Sequence, residues 1–364
     1  MKALVVGGTG PTGPFIVKGL LQRGYEVSIF HRGNHEVEEI PPEVEHIHGD
    51  PHFRETIDEA LQDRQFDLAV VTYGRLRLLA SALEGKVERF VSIGGYVGLR
   101  GSMDPQAVSP AGMPILVAED APVVDSEEEM RVAYLIAKTE QQVLNSHPNA
   151  THFRYPAVYG PRQMGGGREW SIVRRILDRR PFIVLPDAGL SLVTSGYAAN
   201  MAHAVLLAVD QPEPSAGQIY HCGDEQQMTL HQIVEVITEA LDYKWEIVCM
   251  PNSIAHPARY YAEESSHHQL MDISKVKRDL GYEDLYSARD ALGMTVDWLV
   301  AHPPAPGKGG VGDPFDYPAE DRLVTAYKKS MEQLAAMPST VSGEIAHPYA
   351  HPKEVGSGGD HRKR

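Results

Sequence analysis

Residues 2–13 decide the fold, and they read Lys-Ala-Leu-Val-Val-Gly-Gly-Thr-Gly-Pro-Thr-Gly. A short aliphatic run is followed at once by glycines, of which Gly7, Gly10 and Gly13 are spaced by three residues. The run is typical of a buried strand, and apolar residues at helical spacing over 15–23 predict a helix after the glycines. Glycine lets the chain turn tightly and lets the helix approach the sheet closely. The segment therefore predicts a strand, a tight turn and a helix.

This turn is also a candidate site for an anion. Its backbone N–H groups and the positive end of the helix would face the ligand. Between a strand and a helix, the glycine spacing predicts that the turn binds the pyrophosphate of a dinucleotide. The alternative is a glycine-rich turn with no ligand. The candidate contact residues are Gly7, Thr9, Gly10, Pro11, Thr12 and Gly13.

The first 160 residues continue to alternate between two patterns. Strand-like runs are expected at 2–6, 26–30, 45–48, 67–72, 89–93 and 152–155, and helical runs at 15–23, 56–62, 76–83 and 133–145. Such alternation predicts a parallel sheet with helices on both faces, because parallel strands need crossover connections. The fold class predicted is α/β, a Rossmann-type doubly wound parallel sheet with a smaller C-terminal substrate-binding lobe.

Three regions follow from changes in this pattern. Residues 1–165 are expected to form the dinucleotide-binding domain, with returning elements around 190–222, and 166–302 to form mainly the substrate-binding lobe. Residues 303–364 begin with a Pro/Gly-rich linker and form an extension, expected to be partly flexible, with a helix over 319–337. The irregular, proline-rich stretch 94–132 is either a flap over the active site or an insertion without chemical role.

Composition limits the possible partners. The chain has 364 residues, with 34 Lys+Arg against 49 Asp+Glu and a formal net charge of −15, which disfavours general nucleic-acid binding. Its two cysteines, Cys222 and Cys249, indicate free thiols in a reducing compartment, so we expect a cytoplasmic protein. No apolar run reaches membrane-spanning length. The histidines near the C-terminus match no ligand spacing, and no metal ion is predicted.

The end of the second strand selects between the two dinucleotides. A site that prefers NAD has an acidic residue there, which binds the ribose 2′-hydroxyl. Here His31 takes the place of the acid and Arg32 follows it; a guanidinium suits a 2′-phosphate, so NADP is slightly favoured over NAD. The alternative is that Arg32 only stacks on adenine, and then either cofactor binds. Asp50, after the third strand, either accepts a hydrogen bond from the adenine amino group or caps the next helix.

Tyr134 and Lys138 form the candidate catalytic pair. They are one helical turn apart and share a face, and a nearby ammonium favours the phenolate. Tyr134 could then exchange a proton with a substrate hydroxyl or carbonyl while hydride passes to or from nicotinamide. The alternative is a core tyrosine beside an exposed lysine.

Together these segments resemble the short-chain dehydrogenase/reductase superfamily in its extended and atypical branches, which include the nucleotide-sugar epimerases and dehydratases. The resemblance covers residues 1–302 and includes Tyr134-x-x-x-Lys138, the segment Arg-Tyr-Pro-Ala-Val-Tyr-Gly-Pro-Arg at 154–162 and Asp-Ile-Ser-Lys at 272–275. It implies that Lys138 also binds the nicotinamide ribose. Further cofactor contacts are expected at Thr72, Tyr155, Pro156 and Val158.

The third catalytic residue of that family is a Ser or Thr, and here the chain departs from the pattern. Ile93 aligns with it, and Ser92, the nearest hydroxyl, would need a bulge to substitute because neighbouring strand residues face opposite sides. We retain Ser92 as a catalytic candidate. Hydroxyls elsewhere could fill the role instead, namely Ser102, Ser109, Thr194 or Ser195.

Two classes of function remain open. The first is an NAD(P)-dependent oxidoreductase or epimerase/dehydratase that acts on a hydroxyl or carbonyl of a small molecule, for example a sugar or nucleotide sugar. The second is a binding protein that keeps the fold without the chemistry, as in the chloroplast stem-loop RNA-binding proteins. The Gly-rich run 165–170 either grips a diphosphate or is a hinge. A homodimer is expected through helices 76–83 and 133–145.

Overall fold

The computed structural model describes residues 1–34, 37–163, 167–262, 267–305, 312–338 and 355–356. The chain divides into two compact units, Met1–Phe315 and Asp316–Arg364. The second unit contains a helix at Tyr317–Ala335, close to the helix expected at 319–337. Most of the linker and most of the C-terminal segment lie outside the described residues, as does the Gly165-Gly166 part of the run expected to bind a diphosphate.

A seven-stranded sheet is the centre of the first unit. The strands of the chain are β1 (Lys2–Val6), β2 (Glu26–His31), β3 (Glu45–His48), β4 (Phe66–Val71), β5 (Val87–Gly95), β6 (Thr151–Tyr155), β7 (Ala157–Tyr159), β8 (Phe182–Pro186), β9 (Ser195–Tyr197), β10 (Ile219–His221) and β11 (Glu246–Met250). The sheet order is β3-β2-β1-β4-β5-β6-β10, and every pair is parallel. The predicted doubly wound α/β fold is confirmed.

Helices cover both faces of this sheet. In chain order, the helices of the described residues are α1 (Gly13–Gln22), α2 (Arg54–Leu61), α3 (Leu76–Ala82), α4 (Arg131–Ser146), α5 (Gly167–Leu177), α6 (Ala198–Asp210), α7 (Pro212–Ser215), α8 (Leu230–Ala240), α9 (Ser274–Leu280), α10 (Ala288–Ala301) and, in the second unit, α11 (Tyr317–Ala335). On one face the apolar sides of α1, α6 and α9 pack on alternate residues of the strands, such as Val5 and Val70. On the other face α2, α3 and α4 cover Leu4, Phe30 and Phe90.

The later elements form two small sheets beside the main one. Strand β8 pairs with β11, and β7 pairs with β9, both in parallel. Helices α5, α8 and α10 pack against one another here. Strand β10 returns to the main sheet, where it pairs with β6.

Between β5 and α4 the chain is irregular, as expected for the proline-rich stretch. It contains short 3₁₀ turns at Tyr96–Gly98 and Pro105–Ala107 and an isolated bridge between Leu99 and Val123. Five apolar residues of this stretch and its surroundings are buried together: Tyr96, Leu99, Met113, Val117 and Met271. No helix in the described part of the chain is long and apolar enough to cross a membrane.

Candidate functional site

The glycine turn joins β1 to α1 as predicted, and close packing explains its glycines. Gly7 and Gly8 have positive φ values of 103° and 85°, which L side chains rarely adopt. A Cβ on Gly7 would lie 2.5 Å from Thr72 Oγ1, and a Cβ on Gly13 would lie 2.3 Å from the carbonyl carbon and oxygen of Gly8. Gly10 is exposed, and a Cβ there would meet nothing within 4 Å. The turn is therefore folded tightly on itself, with Gly10 on its open side.

Several of the expected cofactor residues surround this turn. The Thr72 hydroxyl donates to the Val6 carbonyl at 2.9 Å, which ties the end of β4 to the end of β1. The Tyr155 hydroxyl, near Thr12, donates to the Met201 carbonyl at 2.9 Å, and burial raises the pKa of this phenol. The carboxyl ends of β1, β4 and β6 thus meet at the turn, which is where ligands bind in open α/β sheets.

The residues expected at the adenosine end lie on β2 and after β3. Arg32 is exposed, and its guanidinium carbon is 5.6 Å from the centre of the Tyr73 ring. One oxygen of Asp50 accepts hydrogen bonds from the His52 backbone at 3.0 Å and from His52 Nδ1 at 2.8 Å. These bonds oppose the effect of burial and lower the pKa of Asp50. Asp50 thus shapes the turn before α2, and Arg32 leaves a cation at the surface beside it.

A cleft of about 550 Å³ opens between the start of α3, the end of β5 and α4. Its walls include Gly74–Leu78, Ile93–Gly95, Ile136, Thr139 and His152. Gly94 and Gly95 leave the floor without side chains. The position aligned with the family's catalytic hydroxyl is therefore part of this cleft, but it carries the apolar side chain of Ile93.

Tyr134 and Lys138 lie on α4 and share a face, as the spacing predicts. Tyr134 is half-buried and Lys138 is exposed, with Nζ 5.6 Å from the centre of the Tyr134 ring and 3.3 Å from Gln141 Oε1. The α4 residues that line the cleft are instead Ile136 and Thr139. Residues two apart on a helix differ by about 200° in direction. The pair therefore points away from the helix side that lines the cleft at Ile136.

Ser92 lies in a buried polar network that the sequence did not predict. Its hydroxyl is 2.8 Å from His152 Nδ1, and His152 Nε2 is 3.7 Å from Glu140 Oε2. Glu140 also forms two hydrogen bonds of 2.7 Å with the guanidinium of Arg154. Ser92 is completely buried, whereas His152, although only 2% exposed, lines the cleft. Gly94 leaves room for the imidazole, since a Cβ there would be 2.6 Å from His152 Nε2.

Burial governs the charge state of this network. Desolvation lowers the pKa of His152 to about 4, despite the opposing effect of Glu140, so the imidazole is neutral at pH 7. The same cause lowers the pKa of His221, whose Nε2 is 3.0 Å from the Arg154 guanidinium, to about 4. The features of the sequence that could have indicated this buried network are Arg154, in its Arg-x-Pro segment, and the acidic residue Glu140 on α4.

Two hydroxyls that could have replaced Ile93 are bound elsewhere. Ser102 donates to the Val97 carbonyl at 2.9 Å. Thr194 donates to the Gln269 carbonyl at 3.2 Å and accepts from the Met271 backbone at 2.9 Å. Both hydroxyls stabilise loops in these positions.

Comparison with solved structures identifies the same fold in nucleotide-sugar enzymes. UDP-glucose 4-epimerase from Thermotoga maritima superposes with a TM-score of 0.66 and 18% identity, over 83% of this chain and 99% of that one. The dTDP-glucose 4,6-dehydratase DesIV from Streptomyces venezuelae, solved with NAD bound, has a TM-score of 0.65 and 20% identity, over 83% and 98%. The resemblance to the extended short-chain dehydrogenases/reductases is thus confirmed for the fold.

Curated sequences match parts of the chain at 24–28% identity, and no family model matches. The chloroplast stem-loop binding protein of 41 kDa b from Arabidopsis thaliana is 24% identical over 312 residues, 80% of this chain and 77% of that protein. UDP-D-apiose/UDP-D-xylose synthase 2 from the same plant is 28% identical over 152 residues, 39% and 38%. An uncharacterised protein, y4nL, from Sinorhizobium fredii is 25% identical, and the match spans 46% of its length. The chain thus matches less than half of two of these three relatives.

Proposed function

We propose that this protein, with its extended short-chain dehydrogenase/reductase fold, is an NAD(P)-dependent enzyme of the epimerase/dehydratase kind. Its substrate would be a small molecule with a reactive hydroxyl or carbonyl, and a nucleotide sugar is the first candidate. The observation that carries the proposal is the packed glycine turn at the carboxyl ends of β1, β4 and β6, together with a cleft whose wall begins at Gly74, two residues after Thr72. The relatives named above that act on UDP- and dTDP-sugars support the substrate class.

The residues of the turn suit the role of a pyrophosphate cradle. Gly7 and Gly8 form the tight bend, Gly13 brings α1 against it, and Gly10 exposes backbone to the ligand. A dinucleotide held by its pyrophosphate in this cradle would supply hydride transfer at its nicotinamide ring. The cleft, whose wall includes the cationic residues Arg75 and Arg77, would then hold the substrate.

Proton transfer is the part of the proposal in which sequence and geometry point to different groups. We keep Tyr134 as the proposed acid/base, with Lys138 as its neighbouring cation, whose Nζ is 5.6 Å from the centre of the Tyr134 ring. His152 is the competing candidate, since it lines the cleft, is neutral at pH 7 and contacts the Ser92 hydroxyl. Ile93 supplies no hydroxyl in either case.

One set of variants separates these assignments. The wild type is first titrated with NAD and NADP by calorimetry and then incubated with UDP- and dTDP-sugars, with product formation followed by NMR. If Tyr134 is the acid/base, Tyr134→Phe should bind the dinucleotide normally and lose about 10²–10⁴-fold in turnover. Tyr25→Phe is the matched control, because Tyr25 lies at the amino ends of the strands. An active Tyr134→Phe variant would transfer the role to His152, and His152→Gln would then be the inactive one.

We further propose a preference for NADP, based on Arg32. Its guanidinium is exposed beside Tyr73 and suits a 2′-phosphate. Arg32→Ala should weaken binding of NADP much more than binding of NAD, measured by the same calorimetry. An equal loss for both cofactors would mean that Arg32 contacts only the adenine.

A homodimer and a cytoplasmic location are also part of the proposal. Helices α3 and α4, which pack side by side on one face of the sheet, are the proposed dimer surface. Light scattering at micromolar concentration tests the dimer, and a clean monomer would contradict it. The free thiols of Cys222 and Cys249 support a reducing compartment.

A binding protein without turnover is the second candidate. It is favoured by Ile93 and Ile136, two apolar side chains in the cleft, and by the stem-loop binding relative that matches most of this chain. The net charge of −15 opposes an RNA partner. This alternative predicts dinucleotide binding with no product from any sugar tested. A stem-loop RNA that binds with strong salt dependence would identify its ligand class.

A further inference from the structure

Three histidines meet at the outer edge of the main sheet. His46 and His48 are two residues apart on β3, so their side chains lie on the same face of that strand. His31, the last residue of β2, pairs directly with His48 in the parallel register. Laterally paired residues point to the same face, and the fold therefore places all three imidazoles together.

The distances between these side chains suit a metal ion. One ring nitrogen from each histidine lies within 4.8 Å of those of the other two. The closest pair is His31 Nε2 and His46 Nδ1, which are 3.1 Å apart. The ring centres of His31 are 5.0 and 5.1 Å from those of the other two. Ligand nitrogens around a tetrahedral zinc ion are about 3.4 Å apart, given Zn–N bonds of about 2.1 Å.

The required adjustment is small, and the surroundings allow it. His31 is buried and fixes one corner, while His48 is exposed on an edge strand and can turn its ring without disturbing the core. The Gly33 backbone N–H donates to His31 Nδ1 at a long distance of 3.3 Å. A shift of about 1 Å in the exposed ring would bring all three nitrogens into coordination range.

We propose that His31, His46 and His48 bind a divalent transition-metal ion, with Zn²⁺ as the first candidate. Three neutral imidazoles suit zinc, cobalt, nickel or copper far better than magnesium or calcium, which prefer oxygen ligands. Such a site leaves the fourth position open to water or another ligand. Binding replaces the His31–His46 hydrogen bond. The ring that donated in that bond binds the metal as its other tautomer, with its proton on the second ring nitrogen, so the neutral imidazoles release no net proton. The site goes beyond the proposed enzyme function, and it differs from the expectation from sequence that the chain binds no metal.

The test uses the full-length protein, freed of metal with a chelator and titrated with Zn²⁺ by calorimetry. We expect one saturable site for Zn²⁺. When Co²⁺ replaces Zn²⁺, the protein should show the visible absorption of a Co²⁺ ion with a low coordination number, close to four ligands. His46→Ala and His48→Ala should each weaken Zn²⁺ binding by at least about tenfold, the lower limit found even for residues that only support a ligand. Circular dichroism should show that both variants keep the fold.

Two controls make the result specific. His302→Ala removes the histidine that directly follows α10, and a triple variant removes His347, His351 and His361; both should bind Zn²⁺ like the wild type. The proposal is overturned if the wild type has no saturable site, if His46→Ala and His48→Ala bind normally, or if the triple variant loses binding. No dinucleotide is needed, so failure here leaves the proposed enzyme function untouched, and failure of that function leaves the metal site.

Discussion

Replacing Gly13 by alanine should both destabilise the protein and remove dinucleotide binding. A Cβ at this position would lie 2.3 Å from the carbonyl carbon and oxygen of Gly8 and 2.7 Å from its Cα. These are backbone atoms of a turn that already has two residues at positive φ, so they cannot rotate away as a side chain would. The alanine can be accommodated only if α1 and the turn move apart.

The size of the effect follows from this distance. An ordinary contact needs about 3.4 Å, so the helix and the turn must separate by about 1 Å. Forcing additional atoms into a packed interior typically costs about 1–3 kcal/mol in the free energy of unfolding. That loss lowers the melting temperature by about 2–12 °C at the 2–4 °C per kcal/mol typical of a large domain. The same displacement moves the backbone N–H groups that would face the pyrophosphate.

Thermal unfolding by circular dichroism and dinucleotide titration by calorimetry measure the two effects separately. Gly10→Ala is the matched control within the turn, because a Cβ there meets nothing within 4 Å. It should melt like the wild type but bind the dinucleotide more weakly, since its methyl group stands between backbone and ligand. Gly293→Ala, in α10, should change neither binding nor packing, as a Cβ there also meets nothing within 4 Å.

Two results would refute this reasoning. If Gly13→Ala melts and binds like the wild type, the helix is not packed against the turn as described. If Gly13→Ala is less stable but Gly10→Ala binds the dinucleotide with full affinity, the turn is structural and the pyrophosphate lies elsewhere.

The buried network gives two further predictions. Glu140→Gln removes the carboxylate partner of Arg154, which is 4% exposed, and should lower the free energy of unfolding in urea by about 3–5 kcal/mol. Asp178→Asn is the control, because Asp178 pairs with Arg174 one helical turn away at the surface; this change should cost less than about 1 kcal/mol. His152 has a folded-state pKa of about 4, below its ordinary value of 6.5, so its stabilising contribution is complete above pH 6.5 and is lost as the pH falls to 4. Relative to His152→Gln, the wild type should therefore lose up to about 3 kcal/mol of unfolding free energy over that range, and parallel pH profiles for the two proteins would contradict a buried neutral imidazole.

The parts of the fold that sequence predicts best are those set by local chemistry. The aliphatic run, the glycines and the following apolar helix of residues 2–22 all favour the same strand–turn–helix, so the prediction depends on no distant residue. The strands of the main sheet were found for the same reason, because a strand covered on both faces is a nearly continuous apolar run.

The direction of a helix around its own axis was not predictable in this way. The spacing of Tyr134 and Lys138 establishes that they share a face, but not which face meets the sheet. That choice depends on Glu140, which pairs with Arg154 on β6, and on the small Ala133, which is fully buried. These contacts join residues far apart in sequence, and so the assignment of catalytic groups on α4 stays a prediction.

The histidine cluster was missed because it depends on strand register. His31 was interpreted alone, as the residue at the place of an acidic cofactor ligand, and its position at the end of β2 is as expected. Its neighbours on β3 are some fifteen residues further along. Only the pairing of His31 with His48 brings the rings together, and a register shifted by one residue would turn both β3 histidines to the other face.

The ends of the main sheet have a consequence for how copies of this protein can associate. An edge strand carries unpaired backbone N–H and C=O groups, which can recruit a strand from another molecule and start aggregation. Here the two edges, β3 and β10, have four and three residues, and the longest strand, β5, lies in the interior of the sheet. Short edges offer few hydrogen bonds to a foreign strand, so growth of the sheet from one molecule to the next is disfavoured.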